Sequence, residues 1–132
     1  MELSIKLFIE EQGKYIFGPG RAQLLRAVDA LGSLSKASQE QGMSYRWAWG
    51  RIKEAEKTLG IKLLMPEAGS GKGNTKSLTA EARELLEWFS SIEEDLQALA
   101  RKAHGRRPSF LPRSLAADDA ALRQPPGARC SR

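Results

Sequence analysis

A mostly α-helical chain with small β elements is predicted, and three observations carry that expectation. Residues 33–59 read as two helical segments joined by a short glycine-containing turn. Residues 80–103 repeat apolar side chains at alternating spacings of three and four. The first residues instead alternate apolar and polar with the period of a strand. The 132 residues suit one domain, and 41% hydrophobic with 28% charged residues is a mixture that can bury a core. No window approaches the 18 uninterrupted apolar residues of a membrane span. The N-terminus lacks a basic region followed by an apolar core, so no secretion signal is read and a cytoplasmic location is expected. Cys130 and His104 are the only residues of their types, which excludes a disulfide framework and a cysteine- or histidine-rich zinc site.

Leu3, Ile5, Leu7 and Ile9 alternate with Ser4, Lys6 and Phe8 and predict a strand over 3–9. A turn at Glu11-Gln12-Gly13-Lys14 and a return strand at Tyr15-Ile16-Phe17 complete an N-terminal β-hairpin, which Gly18-Pro19-Gly20 stops. Leu24, Leu25, Val28 and Leu31 form one stripe of a helix over 21–31, ended by Gly32. Ser33 or Ser35 caps a short second helix that runs to Gln41 and buries Leu34 and Ala37. After Gly42-Met43, Ser44 caps a third helix over about 44–59, with Ala48, Ile52, Ala55 and Leu59 facing inward. Helix, glycine turn, helix, with small residues where the helices cross, is the outline of a helix-turn-helix. An apolar strand at 61–65, a basic loop with Gly69, Gly71 and Gly73, and a short strand at 75–78 follow as the pattern of a wing.

Thr79 caps a long helix over about 80–103. Its seam of Ala82, Leu85, Phe89, Ile92, Leu96, Leu99 and Ala103 occupies heptad a and d positions, which suits pairing with a second copy or packing on its own domain. Residues 104–132 hold four of the six prolines and six arginines and read as a mostly disordered basic tail, in which an alanine-dense stretch near 114–122 could form a short helix. The domain is therefore placed at 1–103.

Charge is distributed unevenly. Residues 33–78 carry eight basic against four acidic groups, whereas residues 79–103 carry three against six. A basic middle beside an acidic helix suits a polyanion-facing surface or an ordinary solvated one. On the third helix Arg46, Trp47, Gly50, Arg51 and Glu54 lie opposite the inward stripe. Arg46 suits bidentate readout of guanine or a phosphate contact, and Arg51 could reach either. Trp49 is expected in the core. Trp47 sits nearer the outward face, to stack on sugar or a thymine methyl or to pack over the preceding helix. The Tyr45 hydroxyl could meet a phosphate. Ser33, Ser35 and Ser44 are caps first, and the free N–H groups beside them favour phosphate, with Lys36 adding charge. Lys72, Asn74 and Lys76 of the wing would contact backbone or minor groove.

Enzymatic chemistry finds no support. Gly71-Lys72 fails as a phosphate loop because Pro66 stands where the first glycine belongs and Gly73 where serine or threonine belongs. Glu93, Glu94 and Asp95 are consecutive on a helix and read as a solvated face. No cofactor or metal is expected.

The chain resembles the N-terminal domain of the molybdate-responsive, ModE-type transcriptional regulators. The resemblance lies in Phe17-Gly18-Pro19-Gly20-Arg21, Leu24-Leu25-Arg26-Ala27-Val28, Gly32-Ser33-Leu34-Ser35-Lys36-Ala37, Gly42-Met43-Ser44-Tyr45-Arg46-Trp47-Ala48-Trp49, Gly71-Lys72-Gly73 and Leu78-Thr79. The leading hairpin separates this group from LysR-type regulators, whose winged domain is otherwise similar. The resemblance covers about three-fifths of the chain. It implies a homodimer whose winged helix-turn-helix binds a palindromic operator, joined through Leu85, Phe89, Ile92, Leu96 and Leu99. The molybdate-sensing β-barrel region of full-length members is expected to be absent, so molybdate binding is not carried over. A winged-helix module that binds a protein partner is the alternative, and a residual oxyanion sensor at a dimer interface ranks last.

Overall fold

The computed structural model describes residues 1–66 and 76–112. It opens with a hairpin of β1 (Ile9–Glu11) and β2 (Lys14–Phe17), paired antiparallel as Ile9 to Phe17, Glu10 to Tyr15 and Glu11 to Lys14, with an irregularity after Ile9. Gln12 and Gly13 both take positive φ, 51° and 78°, as a two-residue turn between strands of right-handed twist requires. The strand expected over 3–9 is shorter than its sequence pattern. Ile5, Leu7 and Ile9 still alternate inward with exposed Ser4, Lys6 and Phe8, but the chain enters a helix directly after Gly18, so residues before Ile9 find no partner strand.

Helix α1 (Pro19–Leu31) therefore begins two residues earlier than the apolar stripe suggests. Pro19 sits in its first turn, where the missing N–H has no intrahelical acceptor to lose. Gly32 ends it at φ 68°, donating its N–H to the Val28 carbonyl at 2.7 Å. Ser33, not Ser35, caps α2 (Leu34–Glu40) by accepting from the Lys36 N–H at 3.2 Å. The turn into α3 (Tyr45–Leu59) uses Gly42 at φ 70° and a bond from the Met43 N–H to the Ser38 carbonyl at 2.9 Å. Ala37 and Ala48 are fully buried, so the two helices approach closely.

Strand β3 (Leu64–Pro66) pairs antiparallel with β4 (Lys76–Leu78). Residues 61–63, expected in the strand, are held otherwise. The Glu56 carboxylate accepts the Leu63 N–H at 2.7 Å, and the Leu63 carbonyl accepts from the Thr79 N–H at 3.0 Å. Of the loop expected at 66–74, Pro66 belongs to β3, and the remainder lies outside the described residues together with Thr75 of the expected return strand.

Helix α4 (Ala80–Gly105) is capped by Thr79, whose hydroxyl oxygen accepts the Ala82 N–H at 3.1 Å. Phe89 crosses Phe17 edge to face at 5.2 Å between centroids, and both rings are fully buried. They share one core with Leu24, Leu25, Val28, Leu34, Ile52 and Leu78. Phe89, expected in an intermolecular seam, is thus consumed by its own domain, because the stripe beginning at Ala82 turns onto α1 and β2. Polar clasps frame this contact: Arg26 reaches Glu93 at 2.8 Å and Ser90 at 2.7 Å, and Arg83 reaches Asp29 at 3.0 Å. Residues 106–112, assigned by composition to the tail, form turns in which Arg107 bonds the His104 and Leu111 carbonyls at 3.1 and 3.2 Å. The remainder of the expected tail, 113–132, lies outside the described residues, as does the short helix expected near 114–122.

Candidate nucleic-acid interface

Helix α3 buries Ala48, Ile52, Ala55 and the Glu56 side chain, with Leu59 half-buried below them. The opposite face is left to Arg46, Gly50 and Lys57. Ser44 starts the helix by accepting the Trp47 N–H at 3.1 Å, which aims its first turn outward. Arg46 is exposed and has no ion-pair partner among the described residues. A Cβ added to Gly50 would meet nothing within 4 Å. No neighbouring helix therefore requires that glycine, and it leaves the outer backbone of α3 open to close approach.

Two tryptophans flank this open strip, each under a cation. The Arg51 guanidinium lies 4.3 Å from the Trp47 ring centroid on one side, and Lys53 Nζ lies 5.2 Å from Trp49 on the other. Trp47 is 40% and Trp49 47% exposed. The expectation of Trp49 in the core is overturned. The adjacent inward position is taken by Ala48, and Trp49 stands at the rim of the helix with its ring against Lys53. Tyr45, 48% exposed, stands at the start of the same helix.

The other predicted residues scatter. Lys36 is exposed at the start of α2, beside the Ser33 cap. Ser35 is exposed, and its carbonyl accepts from the Ser38 hydroxyl at 2.8 Å. Lys76 donates its backbone N–H to the Gly32 carbonyl at 2.9 Å, which fixes the base of the wing against the end of α1. Lys72 and Asn74 lie outside the described residues. On α4, Leu85, Ile92 and Leu96 are half-buried, and Leu99 is 51% and Trp88 52% exposed. These side chains form an apolar stripe roughly a quarter-turn round the helix from the buried one.

An ionic cluster behind α3 was missed by sequence reasoning. Arg21, 4% exposed, donates through Nη1 to the Ile16 carbonyl, lies 4.7 Å from the Tyr15 ring centroid, and places Nη2 3.1 Å from Glu54 Oε2. The same Glu54 oxygen is 3.3 Å from Arg51 Nη2. Burial lowers the Arg21 pKa, opposed by Tyr15 and Glu54, while the neighbouring Arg51 lowers it further. Burial likewise raises the Tyr15 hydroxyl, so it stays neutral at physiological pH. Gly18 makes room for this arrangement: a Cβ there would sit 2.8 Å from the Tyr15 hydroxyl and 2.9 Å from Phe8. The one signal in the sequence was an arginine a single turn into an apolar helix, which ordinarily marks a solvated position.

No family model matches the chain. It is similar to the transcriptional regulator ModE of Yersinia pestis, 33% identical over 93 residues, which is 70% of this chain and 35% of that protein. It is also similar to the DNA-binding transcriptional dual regulator ModE of Escherichia coli (strain K12), 30% identical over 95 residues, or 71% of this chain and 36% of that protein. The chain spans about a third of the length of these curated relatives. Among solved structures, the crystal structure of a CbnR_DBD–DNA complex matches at a TM-score of 0.51 and 20% identity, covering 66% of this chain and 95% of that one, a likeness of fold. The chain is thus homologous to the N-terminal region of the ModE regulators and carries a winged-helix domain of the ModE type.

Proposed function

We propose that this protein is a sequence-specific DNA-binding transcriptional regulator that acts as a homodimer on a palindromic operator. The observation that carries the reading is the outer face of α3, where Arg46 and the open backbone at Gly50 lie between two tryptophan–cation pairs. Such a face offers donors to base edges, cations to phosphates, and flat apolar rings to sugars and thymine methyls. The Ser33 and Ser44 caps present helix N-termini to flanking phosphates, and the wing at 66–76 adds backbone or minor-groove contacts. Two copies join through Leu85, Ile92, Leu96 and Leu99 of α4, which sets the half-site spacing. The names of the ModE relatives and of the CbnR complex support DNA as the ligand.

The test is fluorescence anisotropy with purified protein, duplexes tiled from its own upstream region, and random duplexes, across a salt series. A preferred duplex that holds two chains at physiological salt is expected. Arg46→Ala should weaken that duplex by ~1–3 kcal/mol and relax one base position. Equal loss on random DNA would reduce Arg46 to a phosphate contact. Weak, sequence-independent binding that vanishes with salt would favour a protein-interaction module, for which the exposed Trp88 and Leu99 would form the docking face.

A further inference from the structure

We infer that Glu54 is a specificity-determining residue: its carboxylate clamps Arg51 against Trp47 and withholds that charge from phosphates not presented in register. The inference rests on the DNA-binding reading of α3. One oxygen of Glu54 stands 3.1 Å from Arg21 Nη2 and 3.3 Å from Arg51 Nη2, so two guanidinium groups share one carboxylate. Arg21 is buried and anchored to the Ile16 carbonyl, which holds Glu54 from behind. Arg51 is the movable member, with its side chain 39% exposed and its guanidinium on the Trp47 ring. Its Nε is enclosed and has no hydrogen-bond partner among the described residues.

The cluster carries one positive charge more than it neutralises. A phosphate that arrives where Arg51 can turn to it takes that excess, while Glu54 remains paired with Arg21. A phosphate elsewhere meets the clamp and the negative field of Glu54 together. The pair therefore subtracts from indiscriminate binding more than from the fitted complex, which is how a repulsive group creates specificity.

The test compares wild type, Glu54→Gln, Arg51→Gln and the double variant on the preferred and random duplexes across a salt series. Glu54→Gln should bind random duplex at least threefold more tightly and steepen its salt slope by ~0.9, one further phosphate contact. The preferred duplex should change less, so the preference falls. In the Arg51→Gln background, Glu54→Gln should have a clearly smaller effect, only the loss of its own negative field, because the charge it releases is gone. A Glu54→Gln variant that weakens both duplexes equally, or acts alike with and without Arg51, would overturn the inference. Glu54→Asp guards against misfolding: it keeps a charge beside Arg21 but is one methylene too short to bridge both groups. It should shift random-duplex binding in the same direction, and the opposite shift would count against the clamp. If the wild type binds every duplex alike, sequence-specific function fails while the random-duplex comparison still decides Glu54. If it binds none, both readings fall.

Discussion

Replacing Glu56 with alanine tests whether α3 and β3 are one mechanical unit. The Glu56 side chain is 7% exposed, and its Oε2 accepts the Leu63 N–H at 2.7 Å and the Leu64 N–H at 3.4 Å. Leu63 is itself 1% exposed, so removing the carboxylate takes the acceptor from a buried N–H. An unpaired buried donor costs ~1–3 kcal/mol. The ion pair with Lys53 at 3.1 Å is half-open to water and adds at most ~1 kcal/mol. Alanine returns a few tenths of a kcal/mol in helix propensity. A net loss of ~2 kcal/mol follows, or roughly 8–16 °C in Tm for a domain of this size.

The same residue gives the loss a pH signature. Burial alone would raise the Glu56 pKa, but the Leu63 N–H, Lys53 and the Leu64 N–H outweigh it and hold the group below its ordinary value of 4.5. The lower value belongs to the folded state, so the contribution is complete above 4.5 and drains away as pH falls through the folded value. Urea melts followed by tryptophan fluorescence should therefore show the gap between wild type and Glu56→Ala at its full size at pH 7 and narrower on acidification. A gap under ~0.5 kcal/mol at pH 7, or one that widens in acid, would refute the assignment of Glu56 as the pin between α3 and β3.

Two further substitutions separate the two stripes of α4. Phe89→Ala should cost ~3–5 kcal/mol in urea melts whatever the protein concentration, because the ring packs on Phe17 of its own chain; a loss that grew on dilution would return Phe89 to the seam. Leu99→Glu should leave the helical circular dichroism intact and shift sedimentation from dimer to monomer, and a dimer that persisted would rule out this stripe as the interface.

Much of the architecture was legible because the signals are local. Caps at Ser44 and Thr79 and the glycine end at 32 depend on backbone groups within four residues and stand where the sequence placed them, and Ser33 is one of the two caps it offered for α2. The amphipathic stripes of α1 and α3 likewise follow from periodicity, except that Leu31, at the last position of α1, is exposed. The strand at 3–9 illustrates where this fails: alternation determined which side chains face inward, whereas a ladder needs a partner, and β2 ends after four residues. The sequence also separated the apolar positions of α4 from its polar ones. It could not say which of two adjacent apolar stripes meets α1 and which is left over, since a heptad pattern has no memory of what lies across from it.

The site was less legible for the same reason. The exposed Arg46 and Trp47 were foreseen because the outward face of a helix is fixed by its inward one. Trp49 was misplaced because it borders the inward stripe and hydrophobicity alone favours burying an indole, whereas Glu56, ranked low for burial, is buried because the folded chain brings the Leu63 N–H to it. Arg21 met Glu54 only when the hairpin laid Tyr15 and the Ile16 carbonyl over the start of α1. The sequence by itself determined the helices, most of their caps and the outward strip of α3, because those are set by backbone hydrogen bonding and residue period over a few positions. Tertiary structure alone decided which charges and rings share an environment, because desolvation and ion pairing depend on groups that residue period does not bring together, from Glu56 and Leu63, 7 positions apart, to Arg26 and Glu93, 67 apart.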